Sequence, residues 1–163
     1  MVRIAYAGSL LLAAQVAMAD LRVSEPLENT PKDVVDFATA FLSALATRDR
    51  GVIESALDDR FGVAVALHYE NGSVQRLLDA SEFLDHGINY KTWQCPFSLS
   101  GYYPDVETSG HDLEFQCTRP LVSAAGVHVH TTYVRISISK EGSAVTMLYV
   151  QWDSKAKLEQ FGP

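Results

Sequence analysis

The chain has 163 residues, 47% of them hydrophobic, and 13 Lys and Arg against 20 Asp and Glu, for a formal charge of −7. The acidic balance argues against nucleic acid or an anionic membrane as a partner, because phosphate binding runs on clustered Lys and Arg. The length suits one domain, and a chain of this size buries roughly 68–70% of its unfolded surface, enough for a core without staples.

Residues 1–19 carry Arg3, an apolar run from Ile4 to Ala14 and the small-residue site Ala17-Met18-Ala19. This is the pattern of a secretory signal peptide, too short to span a bilayer, with cleavage expected near Ala19. The expected protein is exported, periplasmic or extracellular. Residues 20–30 lack any period and read as a flexible lead-in, 31–153 as the domain, and 154–163 as a C-terminal tail.

Thr30-Pro31-Lys32-Asp33 supplies an N-cap hydroxyl, a proline at the first helical position and an acid in the first turn. Val34, Phe37, Ala38, Phe41, Leu42 and Leu45 follow at helical spacing, a stripe wide enough to dock a helix on a sheet. Asp49 caps a second helix that buries Val52, Ile53, Ala56 and Leu57, and the consecutive acids Asp58 and Asp59 end it. The period then changes to two: Phe61, Val63, Val65, Leu67 and Tyr69 alternate, Asn71-Gly72 forms a two-residue turn, and Val74 to Leu78 return as a hairpin partner. Ser81 caps a short helix from Glu82 to His86, stopped by Gly87, and strands run from there to Trp152.

Helix, helix, hairpin, short helix and long antiparallel meander make an α+β order. Over about Pro31 to Asp153 this order resembles the nuclear transport factor 2-like superfamily. The resemblance implies N-terminal helices packed on a strongly bent antiparallel sheet that wraps a cone-shaped cavity, and dimers formed through the outer sheet.

The two cysteines, Cys95 and Cys117, flank the turn formers Pro104 to Gly110. A hairpin centred on Val106 sets them opposite one another, within reach of a disulfide, and an oxidising compartment favours the bond. The same register pairs Phe97 with Phe115 and Leu99 with Leu113. Turns at Ser123–Gly126 and Lys140–Ser143 extend it into rows across four strands: Leu99, Leu113, Ile136, Met147; Phe97, Phe115, Val134, Tyr149; Cys95, Cys117, Thr132, Gln151; and Trp93, Arg119, His130, Asp153. A bulge in any strand reverses the faces beyond it. Glu114 and Arg135 fall opposite each other on the outer face.

The last row places polar groups at one end of an apolar face, as at the mouth of a ligand cavity. The expected binding residues are Trp93, Arg119, His130, Thr132, Tyr149 and Gln151, and the ligand is a small apolar or amphipathic molecule bound without catalysis. An isomerase or lyase is the alternative, with His130 as acid/base, Asp153 orienting it and Arg119 steadying negative charge. A third reading is a structural homodimer that pairs through Tyr133, Leu148, Val150 and Trp152 on the outer face. No cofactor or metal is expected: His128 and His130 share a side of one strand, but no third ligand accompanies them.

Overall fold

A computed structural model of the chain describes residues 26–69, 72–104, 110–123 and 126–152. A 3-10 turn at Leu27–Asn29 leads into helix α1, Lys32–Thr47, and α2, Arg50–Ala56. Strands β1 (Leu57–Tyr69) and β2 (Gly72–Asp79) form the hairpin, followed by α3, Ala80–Asp85. Two 3-10 turns, Gly87–Asn89 and Lys91–Gln94, precede β3 (Ser98–Pro104), β4 (His111–Ser123), β5 (Gly126–Ile138) and β6 (Val145–Trp152). The six strands lie in the order β2-β1-β6-β5-β4-β3, antiparallel except where β1 runs parallel to β6. This is the expected α+β architecture, with the helices followed by a curved sheet.

The stripe of α1 is buried at Val34, Ala38, Phe41, Leu42 and Leu45, and packs on β4, β5 and the Lys91–Gln94 turn. These residues share one core with Val63 and Val65 of β1, Leu113 and Phe115 of β4, Val134 and Ile136 of β5, and Leu148 and Val150 of β6. The helix starts differently from expectation: Pro31 holds the N-cap position without a side-chain bond, and the Thr30 hydroxyl is buried without a partner among the described residues. Extended geometry at Pro31 turns the chain one residue later than a Thr30 cap requires. In α2 the Asp49 carboxylate accepts from the Val52 amide as expected, but Val52 itself is exposed and Leu57 already belongs to β1. Asp58 and Asp59 are therefore strand residues. Asp79 caps α3, accepting from Glu82 N at 2.8 Å, two residues ahead of the expected Ser81. Gly72 is a ladder residue opposite Tyr69, and Asn71 lies outside the described residues.

Pairing of β4 with β5 follows the expected register throughout, including Arg119 opposite His130 and Glu114 opposite Arg135, whose side chains meet at 3.3 Å. The two flanking registers differ, that of β6 because of a bulge and that of β3 because its ladder starts with Pro104 opposite His111, three residues off the register of a hairpin centred on Val106. In β6 the pairing Ile138 with Val145 gives way to Ser137 with Met147, leaving Thr146 as the extra residue. Its hydroxyl donates to the Ser137 carbonyl at 3.2 Å, which pins the bulge. Past that point the faces of β6 reverse. Leu148, Val150 and Trp152 turn into the core, whereas Met147 is 49% exposed and Tyr149 and Gln151 lie on the opposite side. The outer patch expected from Tyr133, Leu148, Val150 and Trp152 thus does not exist: only Tyr133 is on that face, and Trp152 is 0% exposed.

In β3 the bulge falls at Ser100, whose hydroxyl donates to the Glu114 carbonyl at 3.2 Å, and Leu99 pairs with Phe115 rather than Leu113. Cys95 and Trp93 are not in a strand at all. Trp93 sits in the second 3-10 turn and Cys95 caps it, yet Cys95 still forms the expected disulfide with Cys117, with Cα atoms 6.1 Å apart. The bond ties the covering turn to β4 instead of bridging two hairpin neighbours. A buried disulfide of this kind is compatible with an exported protein.

Candidate functional site

Where the concave face of the sheet runs out, its apolar rows end in Cys117, Thr132 and Trp152, neighbours across β4, β5 and β6, with Arg119 and His130 paired on β4 and β5 one row beyond. Alternation explains the inward set: in each strand the parity that buries Phe115, Val134 and Val150 also carries Cys117, Thr132 and Trp152 inward. Thr132 is 6% exposed, a hydroxyl in an otherwise apolar surface.

The cover comes from residues 83–95. Tyr90 and Trp93 are three apart, the spacing that stacks side chains on one side of a 3-10 turn, and their rings lie parallel with centroids 6.4 Å apart. Tyr90 also meets Trp152 at 6.3 Å, and Trp93 meets Phe83 edge-on at 6.3 Å. The Trp93 indole donates to the Gly87 carbonyl at 2.7 Å. Gly87 is close-packed here: a Cβ on it would lie 2.3 Å from Phe83 Cδ2. Burial pushes the Tyr90 phenol pKa up, partly offset by the positive field of Arg76.

Arg119 is half-buried and its Nε donates to Cys95 Sγ at 2.7 Å. Burial pulls the guanidinium pKa down from its ordinary value without discharging it. The Trp152 indole N–H is buried with no hydrogen-bond partner among the described residues, a state that costs about 1–3 kcal/mol for a neutral donor. The site therefore offers donors set in an aromatic wall, an arrangement that suits a ligand bearing a hydrogen-bond acceptor.

Of the six residues expected to bind, Arg119, Thr132 and Trp93 gather at this end of the molecule. Tyr149 and Gln151 face away because of the β6 bulge, Tyr149 opposite Arg135 and Gln151 opposite Tyr133. The backbone of His130 lies opposite Arg119, while its side chain and that of His128 lie outside what the structure describes, as does Asp153 entirely. Two residues join the site unforeseen, Tyr90 and Trp152. The Tyr90-Trp93 spacing was a readable signal; the inward turn of Trp152 was not, since it depends on the bulge. Among the described residues no three His, Cys, Asp or Glu side chains come together as a metal-ligand set, and no helix is long and apolar enough to cross a membrane.

No protein-family model matches the sequence, and no curated protein matches it either. Solved structures do match. PrhC from Penicillium brasilianum aligns at 12% identity over 79% of this chain and 84% of its own, with a TM-score of 0.50. A putative isomerase from Bacillus subtilis aligns at 12% identity over 78% and 91%, also with a TM-score of 0.50. An NTF2-like protein of unknown function from Cytophaga hutchinsonii aligns at 12% identity over 74% and 89%, with a TM-score of 0.43. At such identities the likeness is one of fold. The chain has the cone-shaped nuclear transport factor 2-like fold.

Proposed function

We propose that this chain is an exported single-domain protein, released after residues 1–19, that binds a small, partly apolar molecule at the Arg119 end of its concave face without transforming it. One observation carries the reading: an apolar sheet face ends in Thr132, Trp152 and Arg119, polar groups that are buried or half-buried under an aromatic cover. Burying hydrogen-bonding groups is unfavourable unless they are paired, so their collection at one end of a core favours a recognition role over simple packing. Native mass spectrometry of the purified protein should find a bound small molecule or uptake of one from a mixture of apolar metabolites. Arg119→Ala should weaken that uptake about tenfold, the loss expected of one charge-assisted bond. Unliganded protein that takes up nothing would overturn the reading.

A second reading, an isomerase or lyase, is supported by the pairing of Arg119 with His130 across β4 and β5 and by the fold shared with a putative isomerase. Here His130 moves the proton, Asp153 orients it and Arg119 steadies the charge that develops. His130→Gln should then abolish turnover with the melting temperature unchanged; retained turnover would remove this reading.

A further inference from the structure

The two tryptophans of the aromatic cluster differ in one respect. Trp93 spends its indole N–H on the Gly87 carbonyl, whereas the indole N–H of Trp152, on a side chain that is 0% exposed, has no acceptor among the described residues. The indole has no other polar atom with which to compensate. From this contrast we infer that the bound molecule is a neutral, ring-bearing carbonyl compound whose oxygen accepts from Trp152 Nε1–H. The inference rests on the binding reading above and specifies its ligand.

Neutrality follows from the surroundings. Trp152 lies in the row of Cys117 and Thr132 and next to Val150 in β6, under the Tyr90 ring, and no described side chain of this row carries charge. A carboxylate placed there would lose its hydration without a cation in its row, since Arg76, which acts on Tyr90, is exposed on edge strand β2 two strands away in the row of Val150, and Arg119 stands one row farther out with its Nε turned to Cys95 Sγ. A ketone, aldehyde or ester oxygen costs far less to bury and recovers that cost in one hydrogen bond to the indole. Thr132, directly opposite Trp152, supplies a second donor, a hydroxyl, on the same side. The ring requirement comes from the cover: Tyr90 lies against Trp152 at 6.3 Å, so a planar group that replaces the Tyr90 ring over the indole keeps an aromatic contact while bringing its oxygen into reach. Tyr90 lies between the two 3-10 turns and outside the sheet, so this ligand requires its buried ring to yield while the strands stay in place.

The test compares acetophenone with α-methylstyrene, near-isosteres that differ by the carbonyl oxygen, in titrations of 15N-labelled protein followed through its two indole N–H resonances. Acetophenone should bind about tenfold more tightly and be the one of the two that moves the Trp152 resonance downfield, while the ring-current change at Trp93, whose neighbour Tyr90 either compound displaces, should be the same for both. Trp152→Phe should bring the two affinities together, and the wild-type resonances decide the matter where that variant fails to fold. Equal affinity for both compounds, or acetophenone uptake with the Trp152 resonance unmoved, would overturn the carbonyl subsite and leave the binding reading intact. A molecule held by the purified protein that lacks any carbonyl would do the same. Failure of both compounds to bind, together with an empty protein by native mass spectrometry, would remove both.

Discussion

Replacing Cys95 and Cys117 together by alanine tests what the disulfide contributes. The cysteines are 22 residues apart, and in the chain-entropy description closing a loop of that length in the unfolded ensemble stabilises the fold by about 3 kcal/mol. Loss of that amount should lower the melting temperature by on the order of 10 °C for a domain of this size. Urea unfolding of the variant, of oxidised wild type and of wild type in reductant should show the last two differing by the same free energy as the first two. The slope should rise when the link is absent, because the open denatured chain exposes more surface. The loss has a local side as well. Trp93 N bonds Tyr90 O and Cys95 N bonds Thr92 O within the covering turn, so these amides should exchange faster in the variant than amides of β4 and β5. A change below about 1 kcal/mol, in either the variant or the reduced protein, would refute the loop-closure reasoning.

Trp152→Arg should prevent folding, with a loss beyond about 4 kcal/mol, because it buries an unpaired charge in the core; a folded, soluble variant by circular dichroism would place that side chain on the surface instead. Gly87→Ala should cost about 1–3 kcal/mol in denaturant unfolding, since the added methyl group meets the Phe83 ring. Asp79→Ala removes the cap of α3 and should cost about 1 kcal/mol, while Ser81→Ala at the expected cap position should cost a few tenths at most. The phenol of Tyr90 keeps its proton above the ordinary value near 10, so the folded state holds a proton that the unfolded state releases. Its contribution is therefore complete below pH 10 and declines as the pH rises above it, and Tyr90→Phe should flatten the alkaline fall in stability relative to wild type.

Local physics was enough for much of the molecule. The 3.6-residue stripe of α1, the two-residue alternation of β1 and β4 to β5, the Asp49 cap and the partnership of the only two cysteines each rest on neighbours close in sequence or on chemistry that allows one outcome. What tertiary structure decided was parity. One extra residue at Thr146 exchanged Tyr149 and Gln151 for Leu148, Val150 and Trp152, while β3 begins its ladder at Pro104 opposite His111, three residues off the register that had aligned the cysteines, and an extra residue at Ser100 brings that offset to two. Neither residue announces a bulge, because a bulge is stabilised by a hydroxyl reaching a carbonyl on the next strand and by the bend the whole sheet must take, both set by partners far along the chain. The covering turn at Tyr90 to Cys95 belongs to the same class. Its residues favour a strand as readily as a 3-10 turn, and it is the closing of the cone over Phe83, Trp93 and Trp152 that selects the turn.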